Sequence, residues 1–139
     1  MRAQAVAWSP DGRRLAFAGE LATGLRLVEP ESGDVTKLEA AGLPSSISDV
    51  AWAPDGKRLA AATRQGLFIV PSAGGRARRV GAARPVRDVV WSPNGGRLAF
   101  TAPRTARGRR TDLYVVDTDG RGLKRLTANP GYDLAPSWR

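Results

Sequence analysis

The chain contains no cysteine and no histidine among its 139 residues. Without cysteine there is no disulfide framework and no thiolate metal site, and the redox compartment cannot be read from the composition. Without histidine the commonest general base and the commonest metal ligand are both gone. Aromatic residues are scarce at 6%. No apolar run approaches the roughly 18 to 20 residues that a membrane-spanning helix needs. No stretch shows the helical period of apolar residues, and no Gly-x-Ser-x-Gly elbow or zinc-ligand spacing is present. These absences predict a chain that is not an enzyme in its own right, with no cofactor, no metal and no membrane span.

Charge of one sign is also short. Asp and Glu number 13 against 22 Lys and Arg, a formal net charge of +9. The basic side chains are nearly all arginine, with Lys37, Lys57 and Lys124 the lysines. Together with the Ala and Gly content this is the drift expected of a GC-rich genome. A basic balance also marks nucleic-acid or acidic-surface partners. Hydrophobic residues reach 42%, enough for a core, and the length fits a single domain.

What the chain has is a repeat. Trp8-Ser9-Pro10-Asp11-Gly12 is followed by Arg13-Arg14-Leu15-Ala16-Phe17. The stretch returns as Trp52-Ala53-Pro54-Asp55-Gly56 with Lys57-Arg58-Leu59-Ala60-Ala61, and as Trp91-Ser92-Pro93-Asn94-Gly95 with Gly96-Arg97-Leu98-Ala99-Phe100. Pro136-Ser137-Trp138-Arg139 begins a fourth copy. The tryptophans stand 44, 39 and 47 residues apart, a period that signals a repeat architecture. Proline presets the first central turn position, Asp or Asn tolerates the second, and Gly takes the left-handed conformation that closes a bulged hairpin. The flanking apolar runs are nearly continuous, as in strands covered on both faces. The motif therefore reads as a buried hairpin rather than a ligand loop, and its tryptophans as packing between units rather than ligand-stacking groups.

Each repeat is expected to hold four strands. They fall near 5–8, 14–19, 25–29 and 35–39, then 47–52, 58–63, 67–70 and 77–81, then 86–91, 97–102, 113–117 and 123–127. The last strand of each repeat is polar, as in Leu123-Lys124-Arg125-Leu126-Thr127, which suits an outer edge that must not pair with strangers. The fold class is all-β. Four-stranded units of this size, apolar inside and charged outside, are β-propeller blades. The repeats span about 3–44, 45–83 and 84–130, with an incomplete fourth at about 131–139, of which only the first strand is expected.

The Trp-Ser-Pro-Asp-Gly pattern with its Leu-Ala-Phe strand, joined to Tyr114-Val115-Val116-Asp117-Thr118-Asp119-Gly120 and Arg125-Leu126-Thr127, resembles the TolB-type propeller repeat. Similar repeats occur in the propeller halves of prolyl-oligopeptidase-type peptidases and in bacterial sensor proteins. The Gly-His and Trp-Asp signatures of the eukaryotic-type repeat are absent, so the chain is not assigned to that branch. The resemblance covers essentially the whole chain and implies a protein partner. It also implies a periplasmic or extracytoplasmic setting, although Met1-Arg2-Ala3-Gln4 run straight into an expected strand and show no signal-peptide core. A signal, if the parent is exported, is expected outside this chain.

Three blades do not close a ring, since propellers have about four to eight. Each large side chain left in water at an end blade forfeits about 1.5–3 kcal/mol, a sizeable share of a domain's net stability of about 5–15 kcal/mol. Either two chains meet head to tail to close a six-bladed ring, or the chain is a piece of a longer propeller. The inner-strand sequence Asp133 to Trp138 favours the piece, because it would compete with a partner's Ala5–Trp8 for one slot.

Two groups of residues stand out as candidate sites. Asp49 and Asp88 each lie three residues before a repeat Trp, and Asp133 five before Trp138. At the start of the innermost strand these carboxylates point to a channel-mouth ring for a cation, an amine or a basic peptide. The alternative is that each satisfies local backbone N–H groups, and the first repeat has Ala5 at the matching place. Arg104, Arg107, Arg109 and Arg110 fall in an expanded loop between the second and third strands of the third repeat. Long loops often carry recognition, and arginine is suited to carboxylate or phosphate. The alternative is a solvated face. Nucleic acid is not expected, because no stacking aromatics interleave the arginines. Asp117-Thr118-Asp119-Gly120 begins like a calcium loop but has the wrong spacing and no later Glu, so it reads as a hairpin turn.

The leading functional expectation is a non-enzymatic protein-interaction module. The propeller of a larger enzyme, such as a prolyl-oligopeptidase-type serine peptidase, is the alternative. An anionic-polymer binder acting through the arginine loop is a third.

Overall fold

The computed structural model of the chain describes residues 3–19, 22–81, 84–105, 107–128 and 136–139. Among these it contains strands and no helix. The first repeat gives β1 (Ala3–Trp8), β2 (Leu15–Gly19), β3 (Ala22–Val28) and β4 (Val35–Lys37), joined in that order into one sheet. Then comes the two-residue β5 (Ala40–Ala41). The second repeat gives β6 (Ile47–Trp52), β7 (Arg58–Thr63), β8 (Gly66–Pro71), the short β9 (Gly75–Arg76) and β10 (Arg78–Val80). The third gives β11 (Val89–Trp91), β12 (Arg97–Pro103), β13 (Thr111–Asp117) and β14 (Lys124–Arg125). Pairing within each of the three four-stranded sheets is antiparallel. Three four-stranded meanders in sequence order are propeller blades.

The boundaries match the expected ones closely in the second repeat and drift at the blade rims. Strand β11 begins at Val89 instead of near 86 because the chain before it serves two blades. The Val86 N–H donates to the Thr63 carbonyl of the second blade at 2.8 Å, while Arg87 N–H turns to Thr101 of its own blade at 3.0 Å. One element was not anticipated. β5 and β9 pair in parallel, Ala40 with Gly75 and Ala41 with Arg76, and tie the outer parts of the first two blades together.

Each blade has a face of small or slender side chains and a face of large ones, because successive residues of a strand point to opposite sides. The small face of the first blade (Ala5, Ala16, Ala18, Leu25, Leu27) packs on the large face of the second (Val50, Trp52, Leu59, Ala61, Phe68, Val70). The small face of the second (Ala60, Ala62, Leu67, Ile69) packs in turn on the large face of the third (Val89, Trp91, Leu98, Phe100, Tyr114, Val116). Strands β7 and β8 are therefore buried on both sides, as their continuous apolar sequence predicts. The first blade differs. Its β2 alternates between buried and half-exposed residues, and Val6 and Trp8 are 56% and 57% exposed, since their face meets no other described blade.

The Pro-Asx-Gly turns have the predicted chemistry. In the first, Asp11 accepts from the Ser9 hydroxyl at 2.6 Å and from the Arg13 N–H at 3.0 Å, while Ser9 Oγ accepts from the Arg14 N–H at 2.9 Å. Asn94 and Ser92 repeat that arrangement in the third blade. Gly12 sits at φ +71°, the left-handed region that closes such a turn. The Pro-Asx pairs of these turns are exposed, and the strands behind the second and third turns are largely buried.

Candidate functional site

Two blade seams are built from the same four contacts. In the first, Trp52 of β6 donates its indole N–H to the Ala7 carbonyl of β1 at 3.0 Å. The Arg14 guanidinium lies over the Trp52 ring, 5.1 Å from its centroid. In the second, Trp91 donates to the Ala51 carbonyl at 3.0 Å and Arg58 lies 4.8 Å over its ring. Proline meets glycine at both seams: a Cβ on Gly56 would stand 3.8 Å from Pro10 Cδ, and one on Gly95 would stand 3.6 Å from Pro54 Cδ. The fourth contact is the packing of large face on small face. The arginine was missed in the sequence although its signal was plain. Arg14, Arg58 and Arg97 each follow a repeat Trp by six residues. Each cation–π contact is worth about 0.5–2 kcal/mol, depending on how much water is excluded.

Asp49 and Asp88 stand together at the start of the innermost strands of neighbouring blades. Asp49 uses both oxygens on backbone: Oδ1 accepts from its neighbour Val50 at 2.9 Å, and Oδ2 from Val89 of the third blade at 2.9 Å. Burial and the nearby Asp88 carboxylate raise its pKa above the usual value, against the pull of those two N–H groups. Asp88 accepts from the Thr101 hydroxyl at 2.6 Å. Ser48 Oγ is 2.9 Å from the Val86 carbonyl and 3.1 Å from the Ala62 carbonyl, adding a further bridge between blades two and three. The structure thus brings two of the predicted carboxylates together and engages both in polar contacts, Asp49 across a seam rather than within one turn. Asp133 lies outside the described residues. Among the described residues no group of three or more acidic side chains is placed to hold a metal ion.

The predicted arginine loop joins β12 to β13 and divides into an anchor and a display. Arg104 forms a two-pronged pair with Asp112, Nε to Oδ2 at 2.8 Å and a terminal nitrogen to Oδ1 at 2.9 Å. Asp112 is fully buried, and Arg125 of β14 approaches it at 3.8 Å. The Arg104 hydrogen bonds and the charges of both arginines hold the Asp112 carboxyl below its usual pKa, outweighing desolvation. Arg107 and Arg109 are exposed in the loop, and Arg110 is exposed opposite Arg104, whose N–H its carbonyl accepts at 3.1 Å. The sequence placed Arg104 with the recognition residues; the structure uses it to fix the base of the loop. Asp112 carried no signal of its own, since its partner lies eight residues away. The Asp117–Gly120 stretch is a hairpin turn, closed by the Gly120 N–H on the Asp117 carbonyl at 2.8 Å.

Comparison with known proteins agrees with this geometry. The family "WD domain, G-beta repeat" matches residues 35–69. That stretch lacks both eponymous dipeptides and runs from β4 to β8, so the match follows the strand–turn–strand pattern across the first seam. The Tol-Pal system protein TolB of Anaeromyxobacter dehalogenans is 42% identical over 40 residues, which are 29% of this chain and 8% of that protein. Among solved structures, a putative TolB from Agrobacterium tumefaciens superposes with a TM-score of 0.82 at 25% identity, over 94% of this chain and 48% of that one. TolB from Acinetobacter baumannii gives 0.70 at 18% identity, over 88% of this chain and 31% of that one. The chain therefore spans about half the length of the first of these structures or less. Its repeats are TolB-type, WD-like β-propeller repeats.

Proposed function

We propose that the chain is a non-enzymatic protein-interaction module, a portion of a TolB-like propeller that presents its rim and channel mouth to a protein partner. The observation that carries this reading is the loop at 104–110. A fully buried Asp112 holds Arg104 at its base, while Arg107, Arg109 and Arg110 stand free in solvent. Ordering a loop base on a buried ion pair while leaving its charged tip exposed is the arrangement of a recognition loop on a rigid scaffold. Its chemistry favours an acidic protein surface, for which the guanidinium fork is matched.

The test is site-specific photocrosslinking in the producing cell, with the crosslinking residue at position 107 or 110 and, as control, at exposed Glu31. Discrete adducts of one mass from the loop and none from the control are expected. Equal labelling at all three positions, or none at the loop, would sink the reading.

A further inference from the structure

We propose that the large face of the first blade is a docking surface for the small face of the third blade of a second copy of this chain. The inference goes beyond the interaction-module reading and concerns a surface distinct from the 104–110 loop. Each seam inside the chain joins a large face to a small face through a tryptophan donor, an arginine over its ring and a proline against a glycine. The first blade carries the large-face half of that seam without its complement. Val6, Trp8, Leu15, Phe17 and Val28 hold the places that Val50, Trp52, Leu59, Ala61 and Val70 hold in the second blade.

Those five of the second blade are buried or nearly so, whereas Trp8 is 57% and Val6 56% exposed. Gly12 has nothing within 4 Å of an added Cβ, where Gly56 and Gly95 meet the preceding proline. Arg26, at the position of Phe68 and Tyr114, has a buried Nε with no hydrogen-bond partner among the described residues. This face is short of a polar partner as well as an apolar cover.

The third blade carries the other half. Val90, Leu113 and Val115 of its small face are half-buried, and Pro93 and Arg97 at its rim are exposed. Arg97 pairs with Asp117 at 3.0 Å, much as Arg58 pairs with Asp55 at 3.0 Å while lying over Trp91. In the docked pair the Trp8 indole donates to the Val90 carbonyl, Arg97 lies over the Trp8 ring and Pro93 meets Gly12. Such a contact is head to tail, with different surfaces on the two copies, so it is one-way and can be complemented. Trp138 occupies the matching place in the repeat and is the chain's own competitor for that small face.

The test uses light scattering behind gel filtration over a concentration series, on the unaltered chain and on one ending at Ala128, which lacks Trp138. Concentration-dependent association is expected, stronger in the shortened chain. Trp8→Asp and Val115→Asp are each expected to abolish it, and an equimolar mixture of the two to restore a two-chain species through the one intact pair of faces. Circular dichroism verifies that the variants fold; Arg97→Glu replaces Val115→Asp if the latter does not. Monomers at every concentration in both chain lengths would overturn the proposal. So would association that survives Trp8→Asp, or variants that stay apart when mixed. Loop crosslinks to a foreign protein that persist in such a case leave the interaction-module reading standing; their loss alone removes that reading and not this one.

Discussion

The Trp52 indole reaches across the first seam to the Ala7 carbonyl at 3.0 Å, so an inner strand of one blade is fastened to the next by a single side-chain donor. Trp52 is 8% exposed. Trp52→Phe keeps most of the ring packing and leaves the carbonyl without its donor, an expected loss of about 1 kcal/mol. Trp52→Ala adds a cavity and is expected to cost about 3–5 kcal/mol. Trp8→Ala, on the open face, is expected to cost far less in the monomer. Urea unfolding of the three variants checks the order.

The proline–glycine contact gives a second contrast. Gly12→Ala and Gly95→Ala both force a side chain into left-handed backbone, at about 1–2 kcal/mol each. The new Cβ at Gly95 would also stand 3.3 Å from an Arg58 terminal nitrogen, while at Gly12 it meets nothing. Gly95→Ala is therefore expected to lower the urea midpoint more than Gly12→Ala. Equal losses would show that the turn contributes nothing to the seam.

Asp112 makes the fold sensitive to acid in one direction. Its folded pKa is depressed by Arg104 and Arg125, so the stability it contributes is present above the unfolded value of about 3.9. That stability is lost as pH falls through the lower folded value. Arg104→Met removes the main partner and is expected to raise the pH of acid unfolding. It is also expected to speed tryptic cleavage at Arg107, Arg109 and Arg110 severalfold. An unchanged cleavage rate would show that the pair does not fix the loop.

Asp49 acts in the opposite direction. Its folded pKa is raised, so its contribution is fullest below the unfolded value of about 3.9 and is lost as pH rises through the higher folded value. Asp49→Asn is expected to remove that downward slope. The single amide oxygen can serve only one of Val50 and Val89, at a cost of about 1 kcal/mol. Stability against pH, measured for both proteins from pH 3.5 to 7, checks the slope and the offset together.

The repeat sequence by itself determined the blades. A Pro-Asx-Gly turn between two apolar runs dictates a hairpin through local backbone preference, and a polar fourth strand marks an outer edge. Strands β6 and β7 could accordingly be placed to the residue. The same sequence could not tell Trp8 from Trp52, because the two stand in nearly identical local contexts. Only the presence of a preceding blade buries one and leaves the other open. Nor could it pair Arg104 with Asp112, which depends on where β12 ends and β13 begins around the expanded loop. Nor could it carry Asp49 across to Val89, a contact that exists only once the second and third blades lie side by side. The parallel rung of Ala40–Ala41 on Gly75–Arg76 belongs to the same class. Two residues pairing with a distant turn carry no periodic signal, and only the packing of one blade on the next brings them within reach.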